Sequence, residues 1–180
     1  MTDMIIRQAT CEDAEAIFEI ENLCFPDPWS LESIEYELEK NPAAVYVVAE
    51  IDAADAVEEG SVKAGDSDVP VAGIDKLIVG YAGLWWIENE GHITNVAIRP
   101  GYRNRRIGSQ ILETLLEYTQ EEGIDDFTLE VRESNDAARA LYEKYGFTVE
   151  GKRKNYYRSV SGDREDALVL WRRMSEREAE

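Results

Sequence analysis

Residues 94–109 read Thr94-Asn95-Val96-Ala97-Ile98-Arg99-Pro100-Gly101-Tyr102-Arg103-Asn104-Arg105-Arg106-Ile107-Gly108-Ser109. A short strand, Thr94 to Ile98, runs into an arginine-rich turn. Ile107 then opens an apolar stripe of Ile111, Leu112, Leu115, Leu116 and Thr119 at helical spacing. This order sets the unpaired N–H groups of a helix start beside Arg99, Arg103, Arg105 and Arg106. Those N–H groups and the helix dipole both favour a phosphate. The rest of the chain makes the turn conspicuous. There are 38 Asp+Glu against 19 Lys+Arg, a formal net charge of -19, yet no acidic residue lies between His92 and Leu112. A solvated surface patch has no need to exclude acids so completely. A site for a phosphorylated ligand does.

With 180 residues, 44% of them hydrophobic, and four Trp, the chain is expected to form one domain over residues 1–180 with a real core. No apolar run approaches the ~18–20 residues of a membrane span. Met1-Thr2-Asp3-Met4 does not begin a secretory signal, so a cytoplasmic location is expected. Cys11 and Cys24 make neither a disulfide framework nor a metal-ligand cluster, so reduced thiols and no metal are expected. The charge argues against nucleic-acid or membrane-surface binding. Acids are spread along the chain and Arg outnumbers Lys. That composition suits a salt-rich, halophile-like cytoplasm, where screening weakens self-repulsion.

Working outward, Met4 to Arg7 reads as a first strand. Thr10 or Asp13 caps a helix with Ala14, Ile17, Phe18, Ile20 and Leu23 on its apolar face. Phe25-Pro26-Asp27-Pro28 breaks it. Ser30 starts a second helix, and Asn41-Pro42 stops it. Ala44 to Ala49 is a strand. From about 52 to 76 the chain turns to Ala, Asp, Glu, Gly and Ser, an acidic loop insertion between two strands in which Val69 to Ala72 could extend a strand edge. Leu77–Ile87 and Gly91–Ile98 are strands with a hairpin turn, Glu88-Asn89-Glu90-Gly91, between them. The Ile107 helix ends near Gly123, and Phe127–Val131 is a strand. Ser134 or Asn135 caps a short helix through Tyr142 that Gly146 stops. Strands from Phe147 and over Ala167–Trp171 close a β-α-α-β-β-β-α-β-α-β-β order, a mixed α/β (α+β) class.

Several motifs in order carry a family resemblance. They are Gly91-His92-Ile93-Thr94-Asn95-Val96-Ala97-Ile98, the Arg103–Gly108 loop, Leu129-Glu130-Val131-Arg132 with Ser134-Asn135, Leu141-Tyr142 with Gly146-Phe147, and Asn155-Tyr156-Tyr157 with Glu165-Asp166-Ala167. The chain resembles the GCN5-related N-acetyltransferase (GNAT) superfamily, and within it the RimI-like N-terminal protein acetyltransferases of the ribosomal-protein-alanine type. Nearly the whole chain outside the acidic insertion takes part. The resemblance implies a mixed, mostly antiparallel central sheet with splayed middle strands, flanked by about four helices. It also implies acetyl-CoA as co-substrate and a protein N-terminus, a ribosomal protein among the candidates, as acceptor.

The same resemblance assigns roles. Val96, Ala97 and Ile98 would offer backbone groups to the pantetheine arm. Arg103, Asn104, Arg105, Arg106, Ile107, Gly108 and Ser109 would present backbone N–H groups to the pyrophosphate. The family pattern is Gln/Arg-x-x-Gly-x-Gly/Ala, and Arg106 stands where its first glycine is usual. Glu130 would be the general base. It lies on an apolar strand, where an unpaired acid is costly and burial would raise its pKa; a salt bridge to a neighbour such as Arg132 is the structural alternative. Tyr142 would be the general acid, protonating the departing thiolate; on its own it would read as a core residue. Asn135 would cap its helix and bond the cofactor. Phe25, Pro26, Trp29, Tyr156 and Tyr157 occupy the loops that flank the acceptor peptide. His92, the only histidine, is either structural or part of a proton relay.

No cysteine sits in a matching motif, so direct attack of an amine in a ternary complex is expected rather than an acyl-enzyme. An α-amine titrates near ~7.7–8.0 and a lysine near ~10.4, so deprotonating the α-amine costs about 3–4 kcal/mol less. The alternatives are a GNAT enzyme acting on a small amine or a lysine side chain, and a non-catalytic acyl-CoA-binding module.

Overall fold

Alternation of side chains builds the centre of the molecule. In the computed structural model, which describes residues 4–53, 75–158 and 162–173, Ala44–Asp52 forms strand β2. Its Val45, Val47, Ala49 and Ile51 face one core, and Tyr46 and Val48 face another. A strand covered on both faces explains a run with no polar alternation. Lys76–Ile87 (β3) pairs with it in the same way, antiparallel. The acidic insertion therefore joins two hairpin-paired strands at Asp52 and Lys76. Residues 54–74, Val69–Ala72 among them, lie outside the described residues.

Among the described residues the sheet has seven strands, in the order β1-β2-β3-β4-β5-β7-β6. The others are β1 (Ile5–Gln8), β4 (Glu90–Ile98), β5 (Asp126–Arg132), β6 (Thr148–Arg158) and β7 (Arg164–Arg173). Every neighbouring pair is antiparallel except β4 with β5. Helices α1 (Ala14–Cys24) and α2 (Leu31–Glu39) cover one face, with Ile17, Ile20 and Ile34 against Tyr46, Val48 and Tyr81. Helix α3 (Ile107–Glu121) covers the other, placing Ile111, Leu112, Leu115 and Leu116 on Val79, Leu84, Phe127 and Leu129. Helix α4 (Asp136–Lys144) packs beside it through Tyr142 and Leu141. The expected element order and mixed sheet are therefore present.

The local signals act as the sequence indicates. The Ser30 hydroxyl accepts the Ser33 N–H at 3.2 Å, and the Asn135 side chain accepts that of Ala138 at 3.1 Å. Gly123, just past α3, has φ +102, open to glycine and strained for other residues. One start differs. A single 3-10 turn, Cys11–Asp13, precedes α1, and Asp13 accepts the Thr10 N–H at 2.8 Å. Strands β6 and β7 extend well past the sequence reading. β6 is an edge strand whose residues are almost all exposed, so it lacks the apolar alternation that reveals a strand.

Candidate active site

The parallel β4–β5 ladder is short. It pairs Glu90–Ile93 with Asp126–Leu129 and stops there, although β4 stays on β3 to Ile98 and β5 stays on β7 to Arg132. The cause lies in β4. The β3–β4 register slips between Gly83/Leu84, opposite Asn95 and Ile93, leaving Thr94 as an extra residue. Such a bulge bends the strand and increases its twist. The strands splay, and a cleft of about 550 Å³ opens between them.

This cleft gathers residues from distant segments. Its lining includes Val96 and His92 from β4, Glu130 from β5, Tyr142 from α4 and Asn135, the N-cap of that helix. Phe25, Pro26 and Trp29 come from the α1–α2 loop, and Tyr156 and Tyr157 from β6. Among the described residues, no group of three His, Cys, Asp or Glu side chains could hold a metal ion.

The Glu130 side chain is only 8% exposed, and it is not unpaired. Its Oε1 lies 2.9 Å from Arg153 Nη2 and its Oε2 lies 3.2 Å from His92 Nε2. The alternative partner, Arg132, instead pairs with Glu165 at 3.3 Å, donates to the Arg158 carbonyl at 2.8 Å and stacks on the Tyr157 ring. The picture of an isolated acid on an apolar strand is thus corrected. β6 lies one strand beyond β7, yet Arg153 is long enough to reach across to Glu130. Tyr157 makes a second bridge, donating its hydroxyl to the Glu130 carbonyl at 3.0 Å. Burial, with help from Tyr156 and Glu130, pushes that phenol up to about 12.

Tyr142 is buried, its ring edge-on to Phe147 at 5.7 Å. Burial first, and the neighbouring Tyr157 second, push its phenol above the ordinary value. The hydroxyl therefore holds its proton through the neutral range. Cys24 is a different matter. Burial raises its thiol although Arg103 opposes the shift. Its Sγ donates to the Ile98 carbonyl at 3.3 Å and accepts from Arg103 Nη2 at 3.4 Å. A protonated thiol so occupied is not a nucleophile.

Past β4, a 3-10 turn at Pro100–Tyr102 leads to the arginine loop. Arg103 Nε donates back to the Ile98 carbonyl at 3.2 Å, so that carbonyl is already engaged. Ala97 is buried toward the α1 side, and its side chain is not available to a ligand. Arg105 lies over the Tyr102 ring. Arg106 is the N-cap of α3 with φ 64 and ψ 7, and Asn104 also has a positive φ, 62. Arg106 thus takes the left-handed conformation in which glycine is usual. Its side chain is exposed and, among the described residues, has no hydrogen-bond or ion-pair partner. At Gly108 an added Cβ would sit 3.7 Å from Ile98 and Leu141, an ordinary contact, which explains why the pattern admits alanine there. The Tyr145 hydroxyl donates to the Ser109 carbonyl at 3.0 Å and ties α4 to the start of α3.

Two features of the site escape the sequence reading. One is Arg153. The other is Glu21, a carboxylate only 1% exposed on α1. It accepts from Asn95 Nδ2 at 2.8 Å, from the Trp29 N–H at 2.9 Å and from the Tyr81 hydroxyl. Burial and the Glu21 carboxylate push the Tyr81 phenol well above its ordinary value, keeping it a donor. A signal for Glu21 exists in the sequence. It shares the Ile17, Ile20, Cys24 face, so a charged residue falls on the buried stripe.

The splayed strands, arginine loop and buried tyrosine define a class. The chain belongs to the acetyltransferase (GNAT) family, whose profile matches residues 14–147, and it is an N-acyltransferase fold of the acetyl-CoA-dependent kind. Its relatives are narrower in kind. A Bacillus subtilis protein provisionally named ribosomal protein bS18-alanine N-acetyltransferase is 34% identical over 94% of this chain and 95% of its own length. The Haemophilus influenzae ribosomal protein bS18-alanine N-acetyltransferase is 33% identical, covering 92% and 96%. The crystal structure of the Escherichia coli ribosomal-protein-S18-alanine N-acetyltransferase superposes with TM-score 0.75 at 25% identity, covering 96% of this chain and 94% of that one.

Proposed function

We propose that this chain, one domain over residues 1–180, transfers acetyl from acetyl-CoA to the α-amine of a protein, with a ribosomal protein whose N-terminal residue is alanine as the first candidate. The observation that carries this reading is the early end of the β4–β5 ladder, which opens a cleft holding Glu130, His92 and Tyr142 together. Acetyl-CoA lays its pantetheine arm along Val96, Ala97 and Ile98. Its pyrophosphate sits on the N–H groups from Arg103 to Ser109 and on the Arg106 guanidinium. Asn135, while capping α4, faces the same arm.

The acceptor enters past Phe25, Pro26 and Trp29 on one side and Tyr156 and Tyr157 on the other. Arg153 occupies Glu130 Oε1, so the proton from the α-ammonium passes to the Oε2 side, where His92 relays it. The neutral amine attacks the thioester carbon. A C–N bond forms, the C–S bond breaks, the departing thiolate takes the Tyr142 proton, and the second proton that nitrogen sheds in becoming an amide returns through solvent to the Tyr142 oxygen. Among the described residues no helix is long and apolar enough to cross a membrane; a cytoplasmic location is part of the proposal.

The test is intact-mass analysis after incubation with acetyl-CoA and Ala-starting peptides, with N-termini free or blocked. Acetylation of the free α-amine is expected. Modification only of N-blocked, lysine-containing peptides would overturn the reading.

A further inference from the structure

The buried carboxylate of Glu21 joins three parts of the fold that meet at the cleft. The Trp29 N–H belongs to the α1–α2 loop, Asn95 flanks the bulged residue of β4, and Tyr81 stands on β3. All three partners are donors. A carboxylate accepts only and has about four lone-pair sites, so it satisfies all three at once. No other connection among the described polar groups runs directly from the loop backbone to the splayed half of β4. We infer that Glu21 is the positioning residue for acceptor binding: it sets the height of the Phe25–Trp29 loop above the β4 edge and so fixes the peptide side of the cleft. The inference rests on the proposed role of that loop in holding the acceptor peptide.

The arrangement predicts a selective defect. In Glu21→Gln the side chain keeps its shape, but one terminal atom becomes an NH₂ donor. The remaining oxygen can still accept from Tyr81 and Asn95. The new NH₂ then faces the Trp29 N–H, donor against donor, and the loop loses its anchor. The arginine loop, Tyr142 and Glu130 have no hydrogen bond to Glu21.

Steady-state kinetics with acetyl-CoA and an Ala-starting peptide read the outcome. For Glu21→Gln we expect the peptide KM to rise about tenfold, the loss expected of one hydrogen bond to a charged group. The acetyl-CoA KM and kcat should stay within about twofold. Ile20→Val, a fully buried change on the same helix, should lower the melting temperature and leave the peptide KM unchanged. Equal rises in the two KM values for Glu21→Gln, or an unchanged peptide KM, would overturn the inference. Phe25→Ala separates this from failure of the underlying reading: if it too leaves the peptide KM unchanged, the loop does not hold the acceptor and the functional reading is what fails. Should Glu21→Gln not fold, hydrogen exchange on the wild-type protein decides. The Trp29 amide should be protected like an amide of β3, and fast exchange there would sink the anchor.

Discussion

Replacing Arg106 separates two effects that coincide at one residue. The backbone there is left-handed, φ 64, which costs an L-residue with a Cβ about 1–2 kcal/mol. Glycine removes that strain but carries about 0.5–1 kcal/mol more entropy in the unfolded chain. Arg106→Gly should therefore gain about 0.5–1 kcal/mol over Arg106→Ala, which keeps the strain. For a chain of this size that is about 1–4 °C in melting temperature. The guanidinium is a separate matter. It is exposed and has no partner among the described residues. A solvent-facing ion pair with a phosphate is worth up to about 1 kcal/mol, so both variants should weaken acetyl-CoA binding about two- to fivefold. Differential scanning calorimetry and titration calorimetry with CoA at 0.1 and 1 M KCl measure the two quantities. The affinity difference should shrink at high salt, where the screening length is about 3 Å. Equal melting temperatures for the two variants would refute the strain argument. Wild-type affinity in Arg106→Ala at low salt would refute the phosphate contact.

Three further outcomes follow from the geometry. Tyr142→Phe removes the proposed proton donor, and kcat should fall about 100-fold or more, measured by thiol release at saturating substrates; a loss under threefold would rule out Tyr142 as the acid. Burial would raise the Asp13 carboxyl, but Arg7 at 2.8 Å and the Thr10 N–H hold it below the ordinary value. Its contribution is therefore complete above about pH 4 and is lost as pH falls through the depressed folded value, so Asp13→Asn should cost about 1–2 kcal/mol at pH 7 and progressively less as pH falls below about 4, by urea titration. With a net charge of -19, the melting temperature should climb steadily from 0.1 to 2 M KCl, and a flat or falling trend in thermal scans would remove the case for adaptation to high salt.

The sequence makes the fold legible where a residue's neighbours along the chain determine its environment. The stripe from Ile107 to Thr119, the caps Ser30 and Asn135, and the two-faced strand β2 all have local causes, and the structure keeps each one. Strand β6 was only half visible because an exposed edge strand needs no apolar alternation. The site divides along the same line. Glu130 and Tyr142 could be named from motifs, but the partners of Glu130 could not. Arg153 reaches it from a strand that is not even adjacent to β5, and a pairing across two strand positions leaves no mark on spacing.

Glu21 shows a subtler case. A charged residue on the buried stripe of an amphipathic helix conflicts with the local pattern, and an unsatisfied buried carboxylate would cost several kcal/mol. Such a conflict survives only if the rest of the fold supplies donors, and here they come from a loop backbone, an amide and a phenol. None of the three is a cation, so the charge is held by dipoles and not neutralised by an ion pair. Dipoles hold a charge only from fixed positions, and loop, bulge and helix must therefore keep their relative places for Glu21 to stay buried. Arg106 is the same kind of conflict at the start of α3, an L-residue where the backbone asks for glycine. Both departures from local preference lie at the places proposed for acetyl-CoA and for the acceptor, where rigidity against local cost is what a two-substrate reaction requires.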